Sequence, residues 1–300
     1  MSEKKVCTAS PIVNDVADGG VIGKCALCDT ENVILKESHC IPKFVYQWLK
    51  ETSKNPYIRS SDNVNVRHQD GPKEHLLCGI CEGSLAILEN ELAENLFRKV
   101  ANYRKQKRVV SITEAMRVAV LSIFWRTLLT TKHRDNNRES EDSQSLDMFL
   151  ASMKADIRVG CCTTKIYFTP FYGEPPYYNL PRTMNYPLES LIGAQDVRFF
   201  DDPHRFFAVF KLPFMYFYIF SDGWPMDEIK NSTELSVDDL ELSEIKEIPG
   251  MLRKYIEHVH KAFSYSLTQM DEKNLEQIRG DAVKNKDITG SDKSRLRSGS

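Results

Sequence analysis

The chain has 300 residues, enough for one large domain or two ordinary ones, and its 41% apolar content with 15 Phe, 12 Tyr and 3 Trp can fill a sizeable core. A formal charge of −2 excludes a global attraction to nucleic acid or to an anionic membrane, so any such affinity must come from a local patch. The first twenty residues lack the apolar run of a secretory signal. The most apolar helical stretch, AMRVAVLSIFWRTLL, is interrupted by Arg117 and Arg126 and is too short to span a bilayer. The expectation is a soluble, cytoplasmic protein with no membrane partner, whose eight cysteines are not paired as disulfides.

Residues 1–21 read as a loose polar arm. Within residues 22–97 stand two Cys-x-x-Cys pairs, Cys25 with Cys28 and Cys78 with Cys81. Each pair closes a tight knuckle, and two knuckles supply the four thiolates of a tetrahedral zinc ion. Such a set leaves no open position for water, so the ion is structural. Forty-nine residues separate Cys28 from Cys78, which requires a folded insertion. PKFVYQWLKETS supplies one: Pro42 suits a first helical turn, and Phe44, Val45, Trp48 and Leu49 form an apolar stripe. Residues 60–73 are polar and irregular. Cys40 and His75 are alternative fourth ligands, and Cys7, Cys161 and Cys162 fit no scheme.

After Cys81, Leu85, Leu88, Leu92, Leu96 and Val100 recur at helical spacing. RKVANYRKQKR then places Arg98, Lys99, Arg104, Lys105, Lys107 and Arg108 within eleven positions without an acid. They form either a phosphate grip or a solvated helix end. The tetrapeptide SITE, residues 111–114, has the form of a capping box opening a buried helix. Arg117 and Arg126 beside it read as structural ion-pair members. TTKHRDNNRESEDSQS is a charged connector, and LDMFLASMKADI a further helix. Residues 98–160 thus read as a helical region with that connector inside it.

From Lys165 onward, KIYFTPFY, DVRFFD, RFFAVFKL and FMYFYIFSDG read as strands of a mostly antiparallel sheet. The aromatic run from Phe199 to Phe220 is either core or a base-stacking platform, and its strand pattern favours core. Leu252, Tyr255, Ile256, Val259 and Phe263 mark a returning helix in an α+β domain covering residues 161–270. Residues 271–300 are polar and read as a disordered tail. The C-terminal domain is also a candidate surface for a protein partner.

One resemblance covers residues 22–97. The order Cys-x-x-Cys, LKESHCIPK, LLCGICEGSL is similar to the HNH (ββα-metal) endonucleases in their zinc-bearing, treble-clef form, and the longer pattern resembles uncharacterised bacterial HNH-like proteins. It implies phosphodiester hydrolysis of DNA or RNA, in a setting of bacterial defence. His39 falls on the family's general base. Glu82, just after the last cysteine, falls where a residue holds a catalytic Mg²⁺ or Mn²⁺, and Ser38 falls where the family often has an acid. The family's central Asn has no counterpart, and Lys73 stands near its place. The expected fold is α+β: a zinc-stapled HNH-like module, a helical middle, and an antiparallel sheet with a helix. The alternative is a module of the same shape, without catalysis, that binds nucleic acid or a protein.

Overall fold

A three-stranded antiparallel sheet opens the computed structural model, which describes residues 20–60, 62–134, 140–201 and 204–299. The arm of residues 1–21 lies outside this apart from Gly20 and Val21. Strands β1 (Val21–Gly23), β2 (Val33–His39) and β3 (Lys73–Cys78) pair in the order β1-β2-β3. A register shift between Lys36 and Glu37 interrupts β2 against β3. The extra residue is Leu76 of β3, and with it Leu76, Leu77 and Cys78 are all buried, where strict alternation would expose one of them.

Pro42, with φ −55°, leads directly into α1 (Lys43–Thr52), which buries Val45, Tyr46 and Trp48. Trp48 donates from Nε1 to the Ala101 carbonyl at 2.9 Å and stacks on Tyr103. Helix α2 (Gly79–Leu92) starts at the second knuckle. It runs on through a wide π turn, Ala93–Phe97, into α3 (Arg98–Val100), burying Leu85, Leu92, Leu96 and Val100 as their spacing requires. There the helix stops, because Ala101 leaves helical geometry. The basic run therefore continues as a loop, with Asn102 Oδ1 accepting the amides of Arg104 and Lys105.

Strand β4 (Val109–Ser111) pairs with β9 (Asp239–Glu241). This pairing corrects the expected capping box. Ser111 is held in the strand against Asp239, and Thr113 Oγ1 instead accepts the Met116 amide at the start of α4 (Glu114–Arg134). Helix α4 is buried on nearly all sides and packs against α5 (Ser140–Val159). The charged connector is thus largely helical, with residues 135–139 outside the described ones.

The second sheet has the order β5-β8-β7-β6, all antiparallel, from β5 (Tyr167–Pro170), β6 (Gly193–Phe200), β7 (Arg205–Leu212) and β8 (Met215–Phe220). Seven of the eight residues of β7 are buried, so helices cover both faces. Phe210 meets Phe124 of α4, and Phe207 meets Tyr255 of α8 (Gly250–Thr268), which follows the short helices α6 (Asn185–Ser190) and α7 (Met226–Ile229). Phe206, Phe207, Phe210 and Phe217 are therefore core, each contributing about 1.5–3 kcal/mol by burial, and are not a stacking platform. One apolar core runs from the first knuckle through α2 and α4 into this sheet.

The tail expected to be disordered is ordered. Asp271 caps α9 (Glu272–Lys284), and α10 (Gly290–Ser298) lies against α6. Glu189 of α6, with no exposed surface, pairs with Arg297, while Ser298 Oγ accepts the Tyr186 amide at 2.7 Å. These helices attach chiefly through polar groups, so they lack the apolar stripe by which sequence reading finds a helix.

Candidate functional site

The two knuckles meet. The sulfurs of Cys25, Cys28, Cys78 and Cys81 all lie within 4.8 Å of one another. Four sulfurs tetrahedrally placed 2.3 Å from one ion stand about 3.8 Å apart, and Cys28 Sγ to Cys78 Sγ is 3.9 Å. The four cysteines are thus positioned to hold a metal ion, and the donor set suits a structural zinc. The first knuckle is shaped by bonds from the Cys25 amide to the Thr30 carbonyl and from the Asp29 amide to the Cys25 carbonyl, with Asp29 and Asn32 at positive φ. The Cys78 amide donates to Cys25 Sγ at 3.3 Å, joining the second knuckle to the first. Burial opposes ionisation of Cys28, but the Thr30 hydroxyl and amide outweigh it and bring its pKa down to about 6. Lys154 and Arg158 of α5 reach Asp29 at 2.6 and 3.3 Å and tie this knuckle to the helical layer. The alternative ligands point elsewhere: Cys40 Sγ lies 3.6 Å from Thr130 Oγ1, and His75 Nδ1 lies 3.4 Å from the Leu35 carbonyl.

At the far end of β2, Ser38 and His39 leave the strand on opposite faces. Ser38, 2% exposed, donates from Oγ to Glu82 Oε2 at 2.6 Å, linking β2 to the first turn of α2. The position expected to carry an acid and the position expected to hold a metal are therefore in contact, but through a hydroxyl and a single carboxylate. Among the described residues, no other group of three His, Cys, Asp or Glu donors gathers as closely as the four cysteines.

His39 turns the other way. Its Nε2 lies 2.8 Å from Asp70 Oδ2, although the angle falls outside a good hydrogen bond, and its ring leans on Tyr46 of α1 with centroids 5.6 Å apart. Burial pushes the Asp70 carboxyl up, but the His39 contact and the Gly71 amide outweigh this and hold it below the ordinary carboxylate range. Gly71 is required here, because a Cβ would fall 1.8 Å from the Tyr46 hydroxyl. His39 and Glu82 thus each have their own partner, Asp70 and Ser38.

Asp70 was not singled out from the sequence. Its signal was the Asp-Gly turn in RHQDGPK, a common surface motif with nothing to tie it to a histidine thirty-one residues earlier. Beside it opens a cleft of about 590 Å³, bounded by Glu37, Lys50, Arg67, Asp70 and Lys73.

Of the six basic residues proposed for phosphate, Arg98 is engaged by Glu94 and Glu51, and Arg108 by Glu241. Lys99 donates to Asn95, while Arg104, Lys105 and Lys107 are exposed on the loop. Arg117 pairs with Glu114 and Arg126 with Glu89, so both are structural as expected. No helix among the described residues is long and apolar enough to cross a membrane. Compared with known proteins, the chain matches no family model, no curated protein and no solved structure.

Proposed function

We propose that the chain is a metal-dependent HNH-like endonuclease that hydrolyses phosphodiester bonds of DNA or RNA, stapled by one structural zinc at Cys25, Cys28, Cys78 and Cys81. The observation that carries the reading is the contact between Ser38 and Glu82 at the end of β2, one residue before His39 and on the opposite face of the strand from its ring, built by two antiparallel strands and the helix that follows them.

The chemistry is hydrolysis by an activated water. Asp70, facing Nε2 of His39, favours the tautomer protonated there and leaves Nδ1 to accept the proton of water. Glu82 and Ser38 would hold a hydrated Mg²⁺ or Mn²⁺, an ion that commonly binds through one or two carboxylates and otherwise keeps waters and phosphate oxygens. When bound, that ion supplies charge stabilisation for the leaving oxygen. Arg104, Lys105 and Lys107 are free to meet the flanking phosphates.

A second reading has its own observation. Because the Ser38 hydroxyl already satisfies Glu82, the same module can serve as a zinc-stapled binder of nucleic acid or a protein. Incubating the purified chain with plasmid and with RNA, in Mg²⁺ or Mn²⁺ and beside a His39→Ala control, separates the two. Cleavage lost in the control supports the enzyme. Retention of nucleic acid without cleavage supports the binder.

A further inference from the structure

The loop between α1 and β3 bounds the cleft and carries Asp70, and short-range bonds such as those of Ser53 with Asn55 and of Asn63 with Asn65 shape its turns. Ile58 and His68 exchange backbone bonds, and Arg59 Nη1 donates to the Val64 carbonyl at 2.9 Å. Its long-range side-chain partners come largely from the C-terminal segment. Arg67 Nη1 pairs with Asp281 Oδ2 of α9 at 3.1 Å, and Lys54 Nζ with Asp292 Oδ2 of α10 at 2.6 Å. Arg59 Nη1 also donates to Asn274 Oδ1 at 2.6 Å, and Asn65 exchanges bonds with the Gln269 carbonyl and the Asp271 amide.

Charge in the cleft is compensated by these contacts. Lys73 is paired with Glu37 at 3.2 Å, Asp70 with His39, and Arg67 with Asp281. Lys50, Arg67 and Lys73 would otherwise make the cleft cationic. Carboxylates of the tail thus stand against an arginine and a lysine of this loop, where phosphate oxygens of a polyanion would bind them equally well. Both pairs are partly exposed, with side-chain exposures of 32% and 14% for Arg67 and Asp281 and of 25% and 34% for Lys54 and Asp292. Pairs of this kind are individually weak and exchange readily with competing ions.

We propose that the loop between α1 and β3 is a nucleic-acid-binding surface, and that Asp281 and Asp292 cover Arg67 and Lys54 in cis until phosphates displace them. The inference rests on the nucleic-acid reading above and names the surface that the substrate backbone meets. Two carboxylates of the C-terminal helices then cover the binding face of the same chain.

Binding of a fluorescein-labelled single-stranded oligonucleotide, followed by anisotropy in EDTA so that nothing is cut, tests it on the full chain. The Asp281→Asn, Asp292→Asn double variant should bind several-fold more tightly at low salt. The slope of log affinity against log salt should steepen by about one to two units. Adding Arg67→Ala and Lys54→Ala should abolish the gain, and circular dichroism with unchanged melting would show that α9 and α10 remain folded. Equal or weaker binding by the folded double variant overturns the inference and leaves the segment a structural clasp. A tighter-binding variant that cleaves nothing in Mg²⁺ or Mn²⁺ removes the nuclease reading alone.

Discussion

The guanidinium of Arg126, on the buried side of α4, donates to the backbone carbonyl of His39 at 3.0 Å. The same group pairs with Glu89 of α2 and donates from Nε to the Ser122 carbonyl, and only 2% of the residue is exposed. One side chain thereby fixes the end of β2 against the helix that carries Glu82. It connects the helical middle of the molecule to the geometry of the candidate site.

Arg126→Met should therefore destabilise the chain strongly. It removes the partner of a largely buried carboxylate, and breaking one side of such a pair costs about 3–5 kcal/mol. Pairing it with Glu89→Gln should recover part of that loss, since the stranded charge is gone. Urea denaturation of both variants checks the order, and a single variant as stable as the parent would show that the pair contributes nothing.

The knuckle set yields a second expectation. Elemental analysis of protein purified without chelator should find close to one zinc per chain, and Cys78→Ser should lose it. Structural zinc in small modules contributes about 10–16 kcal/mol of binding free energy that is also folding free energy. EDTA should accordingly lower the melting temperature of the parent and leave the already depleted variant unmoved. A parent that stays metal-free and fully folded contradicts the assignment.

The parts legible in the sequence were those with a local signature. Two accurate Cys-x-x-Cys spacings led to the sulfur cluster, Pro42 to the start of α1, and dense Phe and Tyr runs to the strands of the second sheet. What escaped depended on long-range pairing. Ser111 left its capping box because β9, some 130 residues later, claims it as a strand residue. Asp70 reaches His39 only because α1 folds the intervening loop back. α9 and α10 are polar helices docked by ion pairs and hydrogen bonds, a mode with no periodic trace. The opposed orientations of Ser38 and His39 follow from strand alternation and could have been read from the sequence, whereas the bulge at Leu76 of β3 could not.

Acid should dissolve the contribution of Asp70. Its folded pKa is depressed, so its stabilisation is complete above the unfolded value of about 3.9 and is lost as pH falls through the folded value. Asp70→Asn should show a deficit of about 1 kcal/mol or less, as partly exposed pairs do, present above the unfolded value and vanishing as pH falls through the depressed folded one. Chemical denaturation of both proteins across that range measures it. A deficit that persists at the lowest pH would mean that the carboxylate acts through packing and not through charge.

Ser38→Asp offers the sharpest question about the second metal. The substitution restores the acid that the resemblance places beside the general base and sets two carboxylates where a hydroxyl now donates to Glu82. Without a cation they repel: two unit charges 4 Å apart at an effective dielectric of 20 cost about 4 kcal/mol. Ser38 is buried and Glu82 half-buried, so water screens the pair only in part. The variant should therefore melt below the parent in EDTA at neutral pH and recover as pH falls and one carboxyl takes up a proton. Mn²⁺ should restore its melting temperature while shifting the parent far less, because two carboxylates hold a hard cation better than one. If His39 then acts as the base, the same variant should cleave plasmid faster than the parent. A Ser38→Asp protein indifferent to Mn²⁺ would mean that the face shared by β2 and α2 is not a cation site, which would leave the binding module as the better reading.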